Sequence, residues 1–219
     1  EALRYLANKY SIEIEEDAPD PKQEELRDER DSLYNLNAYA QRIFSENLFE
    51  HEEGISVGLT YFHERGFGDE IIKRFQLGYS LIDWSAFSDV ALKNGYKPEY
   101  LIKTGLSIPR KNEAGEADPS RLLDRFRGRI MFPVHNMTGK IIAFGGRILK
   151  KDDKAAKYVN SPESEIYHKS DVLYGIFFAR NEIAKQDNCY LVEGYTDVLM
   201  AHQAGIVPVI ATMGTESMY

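Results

Sequence analysis

The stretch Tyr190–Ile206, YLVEGYTDVLMAHQAGI, decides how this chain is read. An apolar run closes on an acid, Glu193. A glycine, Gly194, follows, and a second acid, Asp197, stands four places on. The next segment, VPVIATMGTES (207–217), has the look of another buried strand. Strand, helix and strand from Tyr190 to Thr212 make one βαβ unit. In an open parallel sheet, ligands collect outside the carboxyl ends of the strands, where Glu193 falls. Asp197, in the first helical turn, lies on the same side. Two carboxylates at a strand's mouth suit a hard cation such as Mg²⁺ with waters and phosphate oxygens, or general acid–base work on a hydroxyl. An exposed Glu193 and an Asp197 that merely complements a helix dipole fit the same spacing. Chemistry alone leaves these readings open.

Upstream, GRIMFPVHNMTGKIIAFGGRIL (128–149) predicts a hairpin turning at Thr138-Gly139 and ending near Gly145-Gly146. Arg121, Arg125, Arg127 and Arg129 cluster around its entry, and Arg147 follows the two glycines, where backbone can approach a ligand closely. The polar span 151–175 adds Lys157, Tyr158, Asn160, Tyr167, His168 and Lys169 before a helix over about 173–184. Cations interleaved with tyrosines suit a single strand, because cations hold phosphates while aromatic faces stack on bases. A solvated surface with buried tyrosines is the competing reading.

The first third reads as helical. Leu33, Leu36, Tyr39, Ala40, Ile43 and Phe44 recur at helical spacing from Ser32. Further short helices are predicted over 55–65, after Gly68, and in WSAFSDVALKNGY and KPEYLIKTGLS, the last two closed by Gly95 and Gly105. PRKNEAGEADPS (109–120) reads as loop, and the acidic stretch with Pro19 and Pro21 as a linker after a short amphipathic piece.

The net charge of −8 over 219 residues argues against a nucleic-acid partner only on average. Residues 1–31 hold eleven acids and five bases, whereas residues 121–180 hold twelve bases and six acids, a local field able to attract phosphate. No apolar run approaches the ~18 residues of a spanning helix, and there is no signal-peptide pattern, so a cytoplasmic protein without membrane contact is expected. The single cysteine, Cys189, excludes an internal disulfide framework and is expected as a buried thiol in a strand. GFGDEI follows a helix and is no dinucleotide loop, and the five histidines lack metal-ligand spacing.

LVEGYTD (191–197) is similar to the first acidic motif of the Toprim fold, and its EGYxD form resembles bacterial DnaG-type DNA primases. DRFRGRIMFPVHNMTGKIIAFGGRIL (124–149), KYVNSPES (157–164) and YHKSDVLYG (167–175) resemble that family's core segments in the same order. YFHERGFGDEIIKRFQLGYS (61–80) resembles its helical N-terminal part, and EALRYLANKYSIEI (1–14) the end of its zinc-binding domain. The resemblance implies an α/β chain: residues 1–31 as the end of the zinc domain and an acidic linker, 32–185 as an α+β N-terminal subdomain (helical 32–108, mixed and basic 109–185), and 186–219 as a truncated Toprim-type βαβ unit.

The function implied is DNA-directed synthesis of short RNA primers from ribonucleoside triphosphates on single-stranded DNA in replication. Glu193 is then the catalytic and metal-side carboxylate and Asp197 a second ligand for Mg²⁺ or Mn²⁺. Arg65, Arg147, Lys157, Tyr158, Asn160 and Lys169 become groove residues. Arg125 and Arg129 are weaker candidates that fit a structural role as well. Toprim proteins carry a later DxD, and none stands between Glu193 and Tyr219. The upstream zinc ligands and the helicase-contacting C-terminal domain are likewise outside the sequence, so this chain alone is expected to be inactive. A topoisomerase or nuclease shares the acidic motif but not KYVNSPES. A single-strand-binding module without catalysis is the rival of a different class.

Overall fold

The computed structural model describes residues 7, 9–10, 21–112, 115–149 and 156–213. Most of the amphipathic piece and linker expected before Pro21 lies outside the described residues, as does the end of the chain after Met213. Contacts divide the chain into Glu1–Asp31 and Ser32–Tyr219, and the site lies within the second unit.

Helix α1 runs over Pro21–Glu50, eleven residues earlier than its apolar spacing starts. Proline is at home in a helix's first position, and Lys22–Arg30 consists mostly of strong helix formers, so the stretch read as linker is helical although exposed. Further along, Leu33, Leu36, Ala40, Phe44 and Leu48 make the buried stripe. The single helix expected over 55–65 is a π-helical segment, Gly54–Leu59, followed by α2, Thr60–Glu64. Gly54 packs against the Asn47 carbonyl of α1 so closely that any side chain there would collide with backbone. Helix α3 (Asp69–Arg74) carries acids in its first turn and bases in its last, complementing its dipole.

A three-residue strand the helical pattern hides, β1 (Gly78–Ser80), comes next, then α4 (Ala86–Lys93) and α5 (Pro98–Lys103). The stretch read as loop holds two antiparallel strands, β2 (Ser107–Lys111) and β3 (Ala117–Asp124). Most of their residues are not buried, so no apolar alternation advertises them. Asp124 at the end of β3 is buried, and its carboxylate accepts N–H bonds from Phe87 (2.8 Å) and Ser88 (2.9 Å), capping α4.

Strands β4 (Arg129–His135) and β5 (Ile141–Ile148) form the expected hairpin. With β1 and β6 (Tyr158–Asn160) they make an antiparallel sheet in the order β1-β4-β5-β6. Both faces of β4 are covered, with the period of two a strand imposes. Ile130, Phe132 and Val134 join one core cluster, with Phe62, Ile72 and Phe75. Met131 joins the other, with Leu36, Phe44, Leu101 and Phe144. Each such side chain contributes about 1.5–3 kcal/mol by leaving water.

After a 3₁₀ turn (Lys169–Asp171) and α6 (Ile176–Gln186), the chain enters β7 (Tyr190–Val192), α7 (Tyr195–Gln203) and β8 (Val209–Ala211). β7 and β8 pair in parallel, the βαβ unit that the sequence pattern predicts. Val198 and Leu199 of α7 and Val209 of β8 enter the same cluster as Phe62 and Phe132, so the βαβ unit and the antiparallel sheet share a core. The Gln203 amide adds a clasp, donating to the Gly66 carbonyl (2.7 Å) and accepting from the Gly68 N–H (2.8 Å). Cys189, expected buried, is exposed just ahead of β7. Its neighbours explain why: among the described residues β7 pairs with β8 alone, and Tyr190 and Leu191 stay 56% and 63% exposed.

Candidate nucleic-acid and nucleotide interface

Glu193 follows the last residue of β7 and is exposed at the strand's carboxyl end. Gly194 starts α7, and its N–H donates to Asp197 Oδ2 at 3.1 Å. Asp197 therefore serves the helix start with one oxygen while lining a cleft of about 410 Å³. The far wall of that cleft comes from the basic part of the chain, with Tyr158, Asn160 and Lys169 facing Glu193 and Asp197. Five of the sequence-predicted site residues thus line one cleft.

Arg147 stands just behind this wall. Its place on β5 is opposite Tyr158 on β6, and its guanidinium carbon is 5.8 Å from the Tyr158 ring centre and 4.8 Å from that of Tyr61. The side chain is buried, and Nε and Nη1 have no hydrogen-bond partner in the protein. Aromatic faces offset part of the cost of burying this cation, and an anion would offset the rest. Arg65 lies 4.9 Å from the same Tyr61 ring, so two of the predicted cations share one aromatic platform. Sequence reasoning missed Tyr61. The signal was its position four residues before Arg65, on the same helix face.

Other predicted residues fall into different roles. Lys157 is exposed, and its carbonyl accepts from the Ile148 N–H at 3.0 Å. Arg129 is buried, and its Nη1 donates to the carbonyls of Gly146 (3.4 Å), Ala156 (3.0 Å) and Lys157 (3.3 Å). It is a brace under the β5–β6 edge, and burial pulls its pKa down. Arg125 is half-buried with its Nε unpaired, and it is not among the residues that line the acidic cleft. Asn160 spends both ends of its amide within the protein, accepting from Tyr195 Oη (2.7 Å) and donating to the Met213 carbonyl (3.2 Å). Tyr167 is buried, which pushes its phenol to about 12, and His168 pairs with Glu163 at 3.0 Å.

Two carboxylates with free space before them fit a cation that keeps most of its waters. Among the described residues there is no group of three or more His, Cys, Asp or Glu able to hold a metal ion. A larger cleft, about 560 Å³, opens between α4 and the β2–β3 pair, with Trp84, Arg110 and Arg121 on its rim. Arg127 lies over Trp84 at 3.3 Å. No helix among the described residues is long and apolar enough to cross a membrane.

The fold, an antiparallel sheet packed with helices and joined to a short parallel βαβ unit, matches those of primase catalytic cores. The crystal structure of the RNA polymerase domain of Mycobacterium tuberculosis primase DnaG matches with a TM-score of 0.75 at 34% identity, covering 85% of this chain and 57% of that one. A DnaG primase catalytic domain bound to single-stranded DNA matches with a TM-score of 0.75 at 33% identity, covering 86% of this chain and 57% of that one. Residues 43–180 match the model of the DNA primase catalytic core, N-terminal domain, and the chain belongs to that family. The DNA primase of Clostridium acetobutylicum is 41% identical over 216 residues, 98% of this chain and 33% of the relative. That of Halalkalibacterium halodurans is 40% identical over 215 residues, 98% of this chain and 34% of the relative. The chain spans about a third of the length of these curated relatives.

Proposed function

We propose that this chain forms the template- and nucleotide-holding part of a bacterial primase core that synthesises short RNA primers on single-stranded DNA from ribonucleoside triphosphates. The observation that carries the reading is the single cleft in which Tyr158 and Lys169 face Glu193 and Asp197. Strand, acidic turn and helix there follow the Toprim pattern. The likeness to a catalytic domain bound to single-stranded DNA supports the choice of template.

Arg65, Arg147, Lys157 and Lys169 hold phosphates, and the half-open face of Tyr158 offers a stacking surface for a base. Glu193 acts at the primer's 3′-hydroxyl, holding or withdrawing its proton, while Asp197 keeps one oxygen for the helix start and turns the other to the cleft. Glu193 and Asp197 would hold Mg²⁺ or Mn²⁺, which supplies charge neutralisation for the triphosphate and acidifies the attacking hydroxyl. Two carboxylates are few for that task, so the 219-residue chain is expected to bind single strands without making primers.

Anisotropy of a labelled oligo(dT) titrated with this chain at increasing KCl tests the reading. Four phosphate-holding cations imply a log–log salt slope of about −3. Affinity indifferent to salt would remove the basic wall from the account.

A further inference from the structure

The residues lining the acidic cleft do not all turn toward it. Asn160 on β6 has its Oδ1 taken by the Tyr195 hydroxyl at 2.7 Å and its Nδ2 by the Met213 carbonyl at 3.2 Å. Tyr195 stands two residues beyond Glu193, and Met213 two residues beyond the end of β8. One side chain of the antiparallel sheet thereby gathers the loops at the mouths of both parallel strands.

Tyr195 is held from every side. Its ring stacks on Phe132 at 4.9 Å with 9° between planes, and meets Tyr174 edge-on at 4.6 Å. It lies so close over β5 that a Cβ on Gly145 would stand 2.5 Å from Cζ and Oη. Phenylalanine would fill the same apolar space, and a buried hydroxyl is costly unless bonded. The hydroxyl has one near-ideal acceptor in reach, and that is Asn160.

We propose that Tyr195 and Asn160 are positioning residues whose hydrogen bond sets the Glu193–Asp197 turn in register with β6 and its basic neighbours. This rests on the reading of Glu193 as the acidic group acting on the primer end. Carboxylates at the mouth of β7 and cations beside β5 and β6 must meet on a single nucleotide, and a misplacement of 1 Å costs about 100-fold in such geometry. The apolar contacts of Val198 and Leu199 hold α7 in the common core without the bond. Losing the hydroxyl therefore leaves the fold standing and frees only the turn. Asn160 then belongs to the frame of the site and makes no contact with nucleotide.

The test uses Tyr195→Phe, Asn160→Leu and the double variant. In primer synthesis by the full-length gene product, each single variant should lower kcat about tenfold with KM for the triphosphate within twofold, and the double should be no worse than either. A raised KM in Asn160→Leu with normal Tyr195→Phe would overturn the proposal and make Asn160 a nucleotide contact. Losses that multiply in the double variant would overturn it too. In the 219-residue chain, amide exchange of Gly194–Asp197 should quicken equally in all three variants while α1 is unchanged. Unchanged exchange at that turn sinks the positioning role. A wild type that makes no primers counts against the proposed function, and the exchange experiment then decides the lock alone.

Discussion

Acid should weaken this fold through His135 well before most carboxylates titrate. The imidazole sits on β4 at 6% exposure, stacked on Phe177 with ring centres 5.8 Å apart and edge-on to Phe178 at 5.0 Å. Its Nε2 is 2.8 Å from Gln76 Oε1, an acceptor only, so Nε2 carries the proton of the neutral ring. Burial lowers the pKa from 6.5 to about 4, with the Pro133 carbonyl pulling back a little. Above pH 6.5 neither the folded nor the unfolded state holds the second proton, and stability is complete. Between 6.5 and about 4 the unfolded chain takes up a proton that the folded chain refuses, so stability falls as pH falls. At about 1.4 kcal/mol per pH unit, that window amounts to about 3 kcal/mol. Urea unfolding at pH 7, 6 and 5 should show the decline in the wild type. His135→Leu should lessen the slope between pH 6 and 5 by about 1 kcal/mol per unit. The Gln76 amide, at an exposed position, can turn to water in that variant. His202, buried and lowered by the same cause, leaves a residual slope. Parallel curves for wild type and variant would refute the reasoning.

Gly145→Ala places a methyl 2.5 Å from a tyrosine ring that cannot retreat; it should cost about 1–3 kcal/mol and lower the melting temperature by several degrees, and a shift under about 1 °C would contradict the packing. Arg147→Ala should weaken oligo(dT) binding and flatten the salt slope by about 0.7, the share of one phosphate contact on a single strand. An unaltered slope removes Arg147 from the binding surface. Glu193→Gln should leave oligo(dT) binding by the 219-residue chain within twofold while abolishing primer synthesis by the full-length gene product. Full synthesis by that variant would end the role given to Glu193.

What could be read from the chain, and what could not, follows from burial. The β4–β5 hairpin and the βαβ unit announce themselves because their strands are apolar and turn at glycines, with Gly139 at a φ of +86°. Strands β2 and β3 escape notice because most of their side chains stay in or near solvent, which leaves polar residues free to occupy them. The apolar run at Leu191 misleads about Cys189, since a single parallel partner does not cover β7. At the site, residue type singled out the acidic turn and the basic segment as candidates and left their roles open, and residues of both line one cleft. Residue type could not separate Arg147, whose Nε and Nη1 lack hydrogen-bond partners, from Arg129, whose Nη1 is used on carbonyls, because that depends on tertiary neighbours. Nor could it reveal that Asn160 is turned inward.

The exposed Cys189 has a practical use. It is the sole cysteine of the chain, and the three residues of β7 separate it from Glu193, four steps of about 3.3 Å each, or about 13 Å. A maleimide fluorophore attached there would sit near the cleft without filling it. Template and triphosphate titrations could then be followed by emission in the native sequence, with no engineered labelling position.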